Sequence, residues 1–203
     1  MVETDRKELI LDTFIRLVGR FGIDKTNLQD IAKEMGISVG SIYQLYNNKD
    51  TLVKAGLLRL SERFIADCTS VIDQDLPPEE LLHDFIRRIL IQMNAFITEN
   101  RGFYQYVKEE GFLGRYRNKT VGEDFNQQLL SLLSTVLKRG VAEGTFKGEN
   151  IEKNAELVLD AFYVFFVQLI LFDRNIEDIL ADVQMMYNIL LYGIKKRKDY
   201  NCI

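Results

Sequence analysis

Residues 26–52 read TNLQDIAKEMGISVGSIYQLYNNKDTL, and the punctuation inside that stretch decides the architecture. Thr26 offers a helix-capping oxygen, and Gln29 three positions on completes a capping box ahead of Ile31, Ala32 and Met35. A helix over residues 27–35 therefore stops at Gly36, and Ile37 sits in a very short connection. Ser38 then caps a second helix over residues 39–46. Two helices joined across so few residues make a helix-turn-helix.

Working outward, Ile10, Phe14, Leu17, Val18 and Phe21 form one apolar stripe on a helix over residues 8–21, which Gly22 ends. Downstream, Asn48 caps a fourth helix that starts at Lys49 and continues through Leu52, Val53, Leu57, Leu60 and Phe64 to about Thr69. Pro77 and Pro78 mark a boundary before a helix carrying Leu81, Phe85, Ile89, Met93 and Phe96, and a shorter helix covers 102–110. Gly111, Gly114 and Gly122 punctuate a polar connection around Arg115 to Thr120. Helical patterning resumes over 123–143, turns at Gly144, Gly148 and Asn150, and closes with long helices over 151–172 and 176–193 joined by Asp173, Arg174 and Asn175. The class is all-α: a three-helix head over residues 1–50 on a larger helical body over 51–203.

Composition narrows the role. At 47% hydrophobic with only 2 prolines, the chain of 203 residues has the means to build a sizeable core. A formal net charge of −4 does not draw polyanions to the whole surface, so any nucleic-acid contact must be local. Residues 35–49 hold no acid and one base, Lys49. Cys68 and Cys202 match neither a metal cluster nor a disulfide scaffold, and a reduced, cytoplasmic setting is the simpler expectation. Met1 to Lys7 lead into no secretory apolar segment, and the apolar run over 161–172 contains Gln168 and is too short to span a bilayer, so no membrane role is expected.

The run from Phe162 through Phe172 is apolar nearly all round, more than one chain's other helices readily cover. A homodimer through the last two long helices is the expected remedy. His83 stands alone among ligand types, so neither metal nor cofactor is expected, and it reads as an exposed or locally bonded helix residue. Lys195 to Lys198 read as a solvated helix end. The sequence supplies no paired acids at diagnostic spacing, no nucleophile-histidine motif and no phosphate loop, which argues against an enzyme.

The segment Thr26 to Leu52 closely resembles the DNA-binding region of the TetR family of bacterial repressors. The likeness rests on Thr26, Asp30, Ile31, Ala32, Gly36, Ile37, Ser38, Gly40, Ser41, Ile42, Tyr43, Tyr46, Lys49 and Leu52. It implies a dimer whose second motif helix enters the major groove of a palindromic double-stranded operator. On that basis Val39, Gly40 and Ser41 approach bases, and Gln44, whose amide can pair bidentately with adenine, reads them. Tyr43 and Lys49 contact phosphates, while Thr26, Asn27, Gln29 and Ser38 lie near the backbone as well as at helix caps. Leu45 stands where the family often has histidine or an aromatic, and Tyr46 where it more usually has phenylalanine.

The resemblance also implies that the body binds a small effector that releases DNA. The expected wall is Phe64, Phe85, Ile89, Met93, Phe96, Phe103, Tyr104, Tyr106, Phe125, Leu129, Phe162, Tyr163 and Phe166, which suits an apolar or aromatic-containing molecule. Activation or dual regulation by the same fold, and more remotely a helical protein-binding module, remain open alternatives at this level.

Overall fold

A computed structural model describes residues 3–110, 121–172 and 174–194, and the described residues form nine α-helices. They are α1 (Glu3–Phe21), α2 (Leu28–Met35), α3 (Val39–Tyr43), α4 (Lys49–Ile72), α5 (Pro78–Glu99), α6 (Arg101–Glu110), α7 (Val121–Ala142), α8 (Ile151–Leu171) and α9 (Ile176–Ile194). The connection around Arg115 to Thr120, the residue Asp173, the basic tail and Cys202 lie outside the described residues.

The caps follow the sequence with one shift of register. Gly22, at φ +83°, ends α1 and returns its N–H to the Val18 carbonyl at 2.8 Å. The capping box of α2 is formed by Asn27 and Asp30, not by Thr26 and Gln29: Asn27 Oδ1 accepts from the Asp30 N–H and Asp30 Oδ2 accepts from the Asn27 N–H, both at 2.9 Å. Thr26 is 1% exposed, and its hydroxyl donates to the Gly22 carbonyl at 2.8 Å. Gly36, left-handed at φ +65°, closes α2 as expected. Asn48 accepts the Thr51 N–H at 2.9 Å and starts α4.

Contacts divide the chain into two compact units, residues 1–63 with 95–123 and residues 64–94 with 124–203. These packing units do not coincide with a division at residue 50. In the first unit the inner stripe of α1 meets Ile31 and Ala32 of α2, Ile42 and Tyr46 at and after α3, Leu52 and Val53 of α4, and Phe103 of α6. Phe103 is wholly buried and stands edge-on to Phe14, ring centroids 6.0 Å apart. Burial of each such ring contributes roughly 1.5–3 kcal/mol. Close approach is needed to seat it: a Cβ on Gly102 would lie 2.4 Å from the Val18 carbonyl oxygen, and one on Gly56 would lie 2.6 Å from the Phe103 ring.

The second unit packs Leu81, Phe85, Ile89 and Leu90 of α5 with Leu133 and Val136 of α7, Val158, Phe162 and Phe166 of α8, and Ile179 and Val183 of α9. Gly140 makes room for the Phe146 ring, which tucks the α7–α8 turn inward. Arg139 of α7 donates to the carbonyls of Gln74 (2.9 Å) and Leu76 (3.0 Å), so the turn after α4 is held by a charge-assisted pair of bonds. Arg174 ties α8 to α9 by donating to Gln168 and Asp182.

The apolar run read over 161–172 belongs to a helix of 21 residues, which by length and composition alone is apolar enough to cross a membrane. It nonetheless carries Glu152, Lys153, Glu156 and Asp160. Ala155, Val158, Phe162, Phe165, Phe166 and Leu169 turn inward, whereas Leu157, Val164 and Leu171, spaced every seven residues, stay exposed. Met185 and Ile189 of α9 are exposed as well.

Candidate nucleic-acid interface

Helix α3 shows two faces. Ile42 (0% exposed) and Tyr46 (3%) are one helical turn apart and sink into the head, while Gly40, Tyr43 and Gln44, also at helical spacing, are exposed. Helix geometry proper ends at Tyr43, three residues earlier than the sequence pattern suggests, and Gln44 is its C-cap at φ −64° and ψ −29°. Because Gln44 keeps right-handed helical angles, its side chain still continues the outer face.

The entry to α3 is held by Ser38, whose Oγ accepts the Ser41 N–H at 3.1 Å and lies 2.9 Å from the Ser41 hydroxyl. The Ser38 hydroxyl is thus engaged in capping and the Ser41 hydroxyl is engaged with it. Val39 is half-buried and packs against the head core, so it offers only part of its surface outward. Gly40 has open space around it: an added Cβ would meet nothing nearer than Ser38 Oγ at 3.7 Å. The backbone at the start of α3 is therefore approachable.

Around this helix, Asn27 and Gln29 are exposed at the start of α2, with Gln29 outside the capping box. The buried Thr26 has no surface for a phosphate, so its part is to brace the turn that presents Asn27. Lys49 is half-buried and donates to the Asp24 carbonyl at 3.3 Å. The Asn27 to Asp30 pair repeats the Thr26 to Gln29 spacing one residue on, so the sequence pattern fits a capping box in either register.

Neighbouring acids are answered by arginines. Arg59 of α4 binds Glu8 and Asp12 of α1, the latter at 3.4 Å, Arg63 lies 3.7 Å from Asp12, and Arg16 meets Glu34 at 2.7 Å. The bond to Glu8 raises the Arg59 guanidinium above its ordinary range. Exposed pairs of this sort contribute little to stability, but they mute carboxylates beside an acid-free helix.

The residues read as effector wall divide between the two units. Phe96, Phe103, Tyr104 and Tyr106 fall in the first unit, with Phe103 as a core plug. In the second unit Phe85, Ile89, Phe162 and Phe166 line one apolar cavity of about 10 Å³, hardly room for a single water. Phe64 and Phe125 stack edge-on at 5.0 Å, Tyr163 meets Phe166 at 6.1 Å, and Leu129 and Met93 are buried.

His83 is half-buried rather than exposed, and the adjacent Asp84 is its local partner, as the sequence allowed. Its ring lies 5.0 Å from that of Tyr187, its Nδ1 is 3.6 Å from Asp84, and its Nε2 is buried without a hydrogen-bond partner among the described residues. Burial, and then the charge of Arg87, lower its pKa from 6.5. Cys68 is wholly buried, and burial pushes its thiol up to about 12. No group of three metal-ligating side chains gathers among the described residues.

Residues 10–55 match the family model described as bacterial regulatory proteins, tetR family. The chain is 22% identical over 158 residues to the uncharacterized HTH-type transcriptional regulator YhgD of Bacillus subtilis, covering 78% of this chain and 81% of that protein. It is 24% identical over 162 residues to the nicotine-responsive transcriptional repressor HdnoR of Paenarthrobacter nicotinovorans, covering 77% and 80%. A crystal structure of a Mesorhizobium loti regulator assigned to the TetR family superposes with a TM-score of 0.74 at 13% identity over 97% of this chain and all of that one, which extends the agreement in fold through the body. With its motif, its helix order and these relatives in agreement, residues 10–55 carry the helix-turn-helix of the TetR family, and the chain is similar along most of its length to transcriptional regulators of that type.

Proposed function

We propose that this regulator is a homodimeric, cytoplasmic repressor that reads a palindromic operator and leaves it when a small apolar or aromatic-containing effector binds, without enzymatic turnover. The observation that carries the proposal is the division of α3, with Ile42 and Tyr46 anchoring it from inside while Gly40, Tyr43 and Gln44 face outward. Gln44 discriminates bases. Tyr43, Lys49, Asn27 and Gln29 hold phosphates, and Ser38, Val39 and Ser41 shape the leading turn. The functional division into a DNA-binding part over 1–50 and an effector and dimer part over 51–203 is retained on the same grounds.

Dimerisation draws support from the exposed seven-residue repeat of Leu157, Val164 and Leu171 on α8 with Met185 and Ile189 on α9. Two copies set side by side would place their α3 helices on half-sites roughly 34 Å apart or a related spacing. The effector site most consistent with the packing is the gap between Phe85, Ile89, Phe162 and Phe166. Its present size means that a ligand must spread α5 from α8, which is how binding would favour one arrangement over another. The nicotine responsiveness of HdnoR supports a small-molecule signal of some kind.

Selection of bound duplexes from a random pool at near-physiological salt tests the reading. An enriched inverted repeat supports it. No enrichment by a folded dimer overturns it and favours a protein-binding role.

A further inference from the structure

We infer that Tyr46 is a positioning residue for base reading: the bond from its hydroxyl to the Lys7 carbonyl fixes the angle at which α3 presents Tyr43 and Gln44. The inference rests on the DNA-reading role proposed above. Helix α3 is only 5 residues long, so its own hydrogen bonds cannot hold it rigid, and its orientation comes from what it is fastened to. On the inner side the fasteners are Ile42 and Tyr46. Ile42 contributes apolar contact, which resists withdrawal but has no preferred direction.

Tyr46 adds direction. Its N–H bonds the Ile42 carbonyl at 2.8 Å, so its backbone moves with α3, and its hydroxyl reaches Lys7 O on α1 at 3.3 Å. The Lys7 ammonium lies over the same ring, 5.5 Å from its centroid. The hydroxyl thus fastens the ring at its tip, while the ammonium of the exposed Lys7 adds only a weak contact on its face. Burial, helped by the Glu8 carboxylate, raises the phenol above its ordinary range and keeps it a donor. Glu8 itself is gripped by Arg59 of α4, so the turn of α1 that accepts the bond is braced from a second side.

Tyr46→Phe removes this one directional bond and leaves the packing. Lys7 O remains a helix carbonyl with its own α1 partner, so no buried group is orphaned. The experiment titrates wild type, Tyr46→Phe and Lys7→Ala against three duplexes: the one enriched by wild-type protein, a single-base variant of its half-site, and a scrambled duplex of equal length. Tyr46→Phe is expected to lower the ratio of enriched to variant affinity about three- to tenfold, the worth of one hydrogen bond. The slope of affinity against salt should not change, because no phosphate contact is removed. Simple loss of folded protein would weaken all three duplexes together and leave the ratio intact.

Lys7→Ala keeps the accepting carbonyl and is expected to hold the wild-type ratio. An unchanged ratio in Tyr46→Phe overturns the inference while leaving the DNA-reading role standing. An equal fall in Lys7→Ala also overturns it, by assigning the effect to the ammonium. A wild-type protein that enriches no sequence overturns both readings.

Discussion

The ring of Phe103, far along the chain on α6, meets that of Phe14 on α1 edge to face at 6.0 Å and completes the core of the unit that contains the helix-turn-helix. Phe103→Ala is expected to cost about 3–5 kcal/mol, the usual toll of deleting a buried aromatic ring. Gly102→Ala should also destabilise, by about 1–3 kcal/mol, since its new methyl would press on the Val18 carbonyl and outweigh the gain in helix propensity. Denaturant titration of both variants checks this, and a Gly102→Ala protein as stable as wild type would refute the close crossing of α1 and α6.

Gly40 should behave in the opposite way. Its added methyl finds open space, so Gly40→Ala is expected to preserve stability or raise it by up to about 1 kcal/mol. DNA affinity should nevertheless fall, because the methyl stands on the outer face where the backbone must approach bases. Thermal melting and duplex titration on one preparation separate the two effects.

Gln44 and Lys49 are expected to fail differently. Gln44→Ala should shift base preference at one half-site position by about 1–3 kcal/mol. Lys49→Ala should weaken all duplexes and reduce the salt slope by about 1. A binding array that shows the reverse pattern would exchange their roles.

The exposed repeat on α8 gives a test of assembly. Val164→Glu places a charge in the middle of Leu157, Val164 and Leu171, and sedimentation should then show monomers with unchanged helical content. A dimer that survives this change pairs through some other surface.

Acid should destabilise the second unit through His83. Its folded pKa lies below the ordinary 6.5, so the neutral form is the one that fits among Asp84, Arg87, Gln184 and Tyr187. Stability is full above 6.5 and is lost as pH falls through that value toward the lowered one, because the unfolded chain takes up the proton first. Melting curves of wild type and His83→Phe between pH 7.5 and about 5 should diverge, the variant losing less. Parallel curves would exclude His83 as the source.

Local chemistry explains what the sequence made legible. The stripe of Ile10, Phe14, Leu17 and Val18, the stop at Gly36 and the caps Ser38 and Asn48 all act within one or two turns, and each stands where the pattern placed it. The α2 cap was ambiguous because Thr26 and Asn27 both offer a suitable oxygen, and only the burial of Thr26 separates them. That Phe103 and Tyr106 pack on the core that α1 closes was not legible, because nothing in the periodicity of α6 tells which distant helix it will meet.

That distant meeting bears on how the protein is made. Until the ribosome has released α6, residues 1–63 hold a seat for Phe103 with nothing in it, and Phe14 faces the opening. The DNA-reading end, although synthesised first, must wait for a later piece of chain before its core can close. A nascent fragment stalled before that point would expose an aromatic hole to chaperones and proteases.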